Sequence, residues 1–138
     1  MINPTNIKVL SVMILAALFI SGCGGGGQDR IRQEQLNELK ESTIANLNSI
    51  VSDIDERIEF LDEEIEKASG DRERKFEDAR AELQDQKELV GEEKENIEDA
   101  TLENWNDVIE NTSQITAQVR AKTNEISQEV RKMLENQP

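Results

Sequence analysis

Between Pro4 and Pro138 the chain contains no proline, and beyond a glycine run at residues 24–27 it contains only two glycines, Gly70 and Gly91. Proline and glycine are the residues that break helices most effectively. A long tract without them, rich in Glu, Gln, Leu, Ile and Ala, therefore reads as helix almost throughout. The side chains available for a core narrow the choice further. Beyond Phe19 the only aromatics are Phe60, Phe76 and Trp105, and tyrosine and histidine are absent. A rounded core would be poorly filled by so few large side chains. Long helices packed side by side through Ile, Leu, Val and Ala suit this composition better.

The apolar spacing divides the tract. From Ile44 the set 44, 47, 51, 54, 58, 61, 65, 68 alternates by three and four. A second set, 36, 39, 43, 47, 50, 54, 58, 61, 65, runs through the same segment with Thr43 as its polar member. Two overlapping registers make a stripe wide enough to meet two partner helices. This first helix is expected over residues 29–68, with Asp29 able to cap it. Ser69-Gly70-Asp71 is the clearest break. Gly70 can take the left-handed conformation that ends a helix, and Asp71 can cap the next one and pair with Lys75. A short turn makes neighbouring helices antiparallel. The apolar pattern then mirrors about Gly70: Ile65 falls opposite Phe76, Leu61 opposite Ala79, Ile58 opposite Leu83, Val51 opposite Val90 and Ile44 opposite Ile97.

A helical period continues through Trp105, Val108, Ile109, Thr112, Ile115, Val119, Ile126, Val130, Met133 and Leu134. Either the chain turns near Asp99-Ala100-Thr101 and returns as a third helix, or one long helix overshoots the hairpin. The wide stripe on the first helix favours the return, with Thr101 as the cap, although neither glycine nor proline marks this second turn. The expected fold is all-α: an elongated antiparallel helical hairpin completed as a three-helix bundle or coiled coil, with helices over about 29–68, 71–99 and 101–136.

The N-terminus carries a different signal. Lys8 precedes an apolar run over residues 9–20, which closes with Ile20-Ser21-Gly22-Cys23. The run has the length of a signal-peptide core and is too short to span a bilayer, which takes about 20 apolar residues. Cys23 is the sole cysteine, so no intramolecular disulfide is possible. This constellation resembles the lipobox of bacterial lipoprotein signal peptides. The resemblance implies that the Cys23 thiol takes a diacylglycerol, that cleavage removes residues 1–22, and that the new amine is acylated. Two or three chains anchor stably where one does not. Residues 23–28 would then be the lipidated cysteine and a glycine-rich tether, holding the acidic bundle of residues 29–136 within about 10–12 Å of the membrane. In the enteric sorting rule an Asp after the cysteine retains a lipoprotein in the inner membrane. Gly24 stands there, so the resemblance implies the outer membrane, facing the periplasm.

Charge and chemistry limit what the body does. The formal charge is −14 at pH 7 from 16 basic and 30 acidic residues. Removal of the leader takes away only Lys8 and leaves 15 bases against 30 acids, a charge of −15. Nucleic acid demands clustered cations and is excluded as a partner. Self-repulsion is expected to keep copies soluble and separated. With no histidine and a single cysteine, nucleophile–base pairs and His/Cys zinc sites are ruled out, so no enzyme, metal or cofactor is expected beyond the acyl lipid on Cys23. The densest acidic group, Glu92, Glu93, Glu95, Glu98 and Asp99, lacks the loop a calcium hand needs and reads as a solvated helix face. Trp105 reads as core more than as a partner hot spot. The segments 66–71 and 99–108, with Ala79, Leu83 and Leu89 between them, resemble small uncharacterised or stress-response coiled-coil proteins of bacteria; that resemblance implies a helical bundle and no catalytic residues.

The function expected is that of a lipid-anchored envelope protein serving as helical spacer, scaffold or partner-binding module, its partner an unknown envelope protein or another copy. The alternative is an apolipoprotein-like carrier of lipid or another hydrophobe in the periplasm.

Overall fold

The computed structural model describes residues 27–135. Three helices pack against one another: α1 over Gly27–Lys67, α2 over Asp71–Asp99 and α3 over Trp105–Glu135. The third segment does fold back, so the chain is an all-α three-helix bundle rather than an overshooting hairpin. α2 is the middle helix. It packs extensively on both neighbours, whereas α1 and α3, which run parallel, touch each other sparsely.

The two apolar registers of α1 are the two sides of one wide stripe. Leu36, Leu47, Ile54 and Leu61 form its centre line and are almost fully buried. Val51, Ile58 and Ile65 flank it on one side and Ile50 on the other, all packed into the same core. Leu39, which the second register included, is half exposed. Opposite, α2 contributes Phe76, Ala79, Leu83, Val90 and Ile97, and α3 contributes Val119, Ile126 and Val130. Trp105 is half-buried against the core at the start of α3. Leu89 of α2, in contrast, is 41% exposed. The mirror register between α1 and α2 is marked by ion pairs along their shared edge, Asp55 to Lys87 at 2.6 Å and Asp62 to Arg80 at 2.8 Å. Each is solvent-exposed and contributes about 1 kcal/mol at most.

The turns depart from the expected capping. Gly70 precedes α2 at φ 65° and ψ −128°, a conformation close to glycine's alone. Its carbonyl accepts the first helical hydrogen bond, from Arg74 N–H at 3.2 Å. Asp71 is thus the first helical residue and not the cap, and its carboxylate accepts from Arg74 rather than pairing with Lys75. Asp29 likewise lies within the first turn of α1, which starts earlier, at Gly27. α3 begins at Trp105, not at Thr101. The second turn closes without glycine because Asn104 Oδ1 accepts from both the Thr101 backbone N–H, at 2.6 Å, and the Thr101 hydroxyl, at 3.1 Å. Asn104 also accepts the Val108 N–H on its own carbonyl at 3.0 Å, which fixes the start of α3. α2 has no basic residue in its last turn; Lys40 reaches across from α1 and donates to the Glu98 carbonyl at 2.7 Å, placing a cation at the negative end of the helix.

Candidate functional site at the seam of the first and third helices

Where α1 and α3 meet, the facing side chains are polar. Arg57 of α1 donates to its own-helix Asp53 at 3.1 Å and, across the seam, to the Ser127 hydroxyl. Ser127 in turn donates to the Thr123 carbonyl at 2.8 Å. Further toward the second turn Arg120 reaches Asn46 at 3.4 Å. Between these two crossings lies an open groove of about 360 Å³, lined by Ser49, Ile50, Asp53, Ile54, Arg120, Thr123 and Asn124. Thr123 is 3% exposed, and its hydroxyl has no hydrogen-bond partner among the described residues. An unpaired buried hydroxyl costs about 1–3 kcal/mol. The helices part here because Ser, Asn, Asp and Arg cannot interdigitate dryly as the Ile and Val of the α2 faces do.

The opposite face of α3 holds a second polar feature, inside the core. Glu93 of α2 is 3% exposed and points at α3. Its Oε2 accepts from the buried Thr112 hydroxyl at 2.8 Å. Its Oε1 accepts from Asn96 at 3.0 Å and, marginally, from Asn111 at 3.5 Å. Glu93 therefore does not belong to a solvated acidic face, as its neighbours in sequence suggested. Glu92, Glu95, Glu98 and Asp99 are exposed around the helix, and no group of three or more potential metal ligands converges among the described residues. Nearer the hairpin, Lys122 bridges α3 to Glu82 of α2 at 2.9 Å. That hydrogen bond raises the Lys122 pKa above its ordinary 10.5, as the Glu64 hydrogen bond does for Lys67.

Ile20, Ser21, Gly22 and Cys23 lie outside the described residues. Among the described residues no helix is long and apolar enough to cross a membrane. Gly70 and Asp71 sit at the end of the bundle remote from the start of α1. The α1–α3 seam was missed in the sequence because its residues are those of an ordinary exposed face. The signal present was a gap in charge: α1 carries no charged residue between Glu41 and Asp53, and α3 no acid between Glu110 and Glu125. No protein-family model, curated protein or solved structure matches the chain.

Proposed function

We infer that this chain is a non-enzymatic, lipid-anchored protein of the cell envelope, with the outer membrane facing the periplasm as its site, and that its bundle serves as a spacer, scaffold or partner-binding module. The observation that carries the reading is Ile20-Ser21-Gly22-Cys23 at the end of an apolar run, with Cys23 the only cysteine. The fold supports it by giving the anchor something stiff to hold. α1 begins at Gly27, directly behind the cysteine, and at 1.5 Å per residue extends for about 60 Å. Residues 27–35 are exposed and precede the first core residue, Leu36. An acyl group on Cys23 would thus hold the bundle by a short helical stalk. The α2–α3 turn would face the membrane, and Gly70 and the end of α3 would face away.

A hydrophobe carrier has less support. The groove between α1 and α3 is lined largely by polar side chains, and the apolar stripes are spent on one another. Metabolic labelling with a palmitate analogue tests the anchor. Labelled wild-type protein and unlabelled Cys23→Ala protein are expected; label that survives the substitution, or wild type that takes none, refutes it.

A further inference from the structure

We propose that the α1–α3 seam is the interface of a homodimer, each copy laying its charge-poor face on that of the other. The chain carries 30 acids among 138 residues, yet within the helices two tracts escape them, residues 42–52 of α1 and 111–124 of α3. They are far apart in sequence and side by side in the fold: Arg120 meets Asn46, and the groove joins Ser49 and Asp53 to Thr123 and Asn124. The tracts together make one band, mostly Ser, Thr, Asn, Gln and Ala outside the core. The exposed residues follow helical spacing. Ser42, Asn46 and Ser49 continue by three and four toward Leu39 and, beyond Asp53, to Phe60, which are 50% and 43% exposed. Ser113, Ala117, Arg120 and Asn124 do the same on α3. Such spacing presents one continuous face for docking another helix pair.

The charge pattern selects the occupant. A basic partner would be drawn to the acidic outer faces of α1 and α2 and not to this band. An acidic partner would find only Arg120 free of an acidic neighbour here, since Lys122 is already held by Glu82 and Glu125. For a second copy of this chain the scarcity of acid is the complementarity: of the residues named on this face only Asp53 carries a carboxylate, and Arg57 of its own helix already pairs with it. From Leu39 to Phe60 the band is about 32 Å long at 1.5 Å per residue and roughly 18–20 Å wide across two helices, enough to bury on the order of 1,200 Å² in all, the lower end of the range for a specific interface. A two-fold axis along the bundle sets α1 of one copy against α3 of the other. That parallel sense rests on the lipid-anchored reading, since both copies must then rise from one membrane; the interface itself does not.

The test is the mass of the full chain purified in detergent, measured by light scattering with the micelle subtracted. Wild type is expected at twice the mass of one chain. Ser49→Glu with Ala117→Glu is expected at the mass of one chain with an unchanged helical spectrum. Gln84→Glu, which adds an acid on the exposed face of α2, is expected to remain dimeric. If the glutamate pair loses helical signal, the isosteric Asn124→Asp gives the same reading as a shift toward single-chain mass. A monomeric wild type, or a folded seam variant that stays dimeric, overturns the proposal. Protein that takes no acyl label yet dimerises through this face removes the parallel sense and leaves the interface standing.

Discussion

Thr112→Val is the sharpest probe of what holds α3 on α2. The substitution keeps shape and volume and removes one hydroxyl. That hydroxyl is the partner of Glu93 Oε2, at 2.8 Å, whereas Oε1 keeps Asn96 at 3.0 Å. A hydrogen bond to a charged group is worth about 1.5–3 kcal/mol, and the acceptor left behind is buried. A loss of about 2 kcal/mol is expected, or roughly 6–10 °C in melting temperature for a bundle of this size. Asn111→Ala removes only the 3.5 Å contact of an exposed residue and is expected to cost less than about 0.5 kcal/mol. Glu93→Leu with Thr112→Val removes both partners and places an apolar pair in the layer, so it is expected at or above wild-type stability. Urea unfolding of wild type, Thr112→Val, Glu93→Leu and the double variant, followed by far-ultraviolet circular dichroism, closes the cycle, with a coupling near 2 kcal/mol between positions 93 and 112. A neutral Thr112→Val, or additive single and double variants, refutes the view that Glu93 is held in the core by this bond.

Other changes follow from the same geometry. Gly91 continues α2 without a break, and a methyl group placed on it meets nothing within 4 Å, so Gly91→Ala is expected to stabilise the bundle by about 0.5–1 kcal/mol, read as a rise in melting temperature. Gly70 has the same open space but φ +65°; Gly70→Ala is expected to cost about 1–3 kcal/mol in the same assay, and equal responses at the two glycines would contradict the assigned turn. With no histidine in the chain, melting temperature is expected to stay flat between about pH 6 and 9. Lys122 and Lys67 have raised pKa values in the fold, so their contribution is whole below the unfolded lysine value and is lost as pH rises through the folded one. Stability is expected to fall above about pH 10.5, and less steeply in Lys122→Gln; an identical alkaline slope in that variant would count against the Glu82 bond.

Most of the architecture is written in the period of the apolar residues. Gly70 breaks the pattern, and the mirrored positions around it, from Ile65 and Phe76 outward to Ile44 and Ile97, identify an antiparallel pair before any contact is known. The surplus width of the α1 stripe calls for a third helix, and α3 supplies it. Three features were less legible, each for a physical reason. Glu93 occupies an inward position between Val90 and Ile97, but its charge reads as solvent-facing unless the Thr112 hydroxyl is known to lie opposite. Asn104 closes the second turn by reaching back to Thr101, a local bond that competes with starting a helix at Thr101 itself. The seam is defined by charges that are missing from two distant segments, and only the parallel placement of α1 and α3 brings those gaps together.

The polar layer and the second turn share a task that the first turn does not need. Gly70 is the one position before α2 with a conformation that other residues resist, so the α1–α2 register is pinned by the backbone. Nothing comparable stands between α2 and α3. In an antiparallel pair, moving the turn by three or four residues slides the helices by about one heptad, roughly 10 Å, and the Ile and Val of α3 would meet apolar positions on α2 almost as well. In the slid state Glu93 faces Trp105 or Val119 in place of Thr112, with a buried carboxylate oxygen unpaired, and that difference of a few kcal/mol selects one register. The variant with Glu93→Leu and Thr112→Val is therefore predicted to be stable but less uniquely docked. Carbodiimide coupling reads the register, because Lys122 and Glu82 lie 2.9 Å apart in the native one and beyond reach after a slide. In wild type the only crosslink expected from Lys122 to α2 is the one to Glu82, beside coupling to Glu125 of its own helix, and in the double variant Lys122 is expected to couple also to acids about one heptad away on α2. A double variant that yields only the native crosslink would show that the Thr101–Asn104 bonds fix the register unaided, and that Glu93 is kept in the core for another reason.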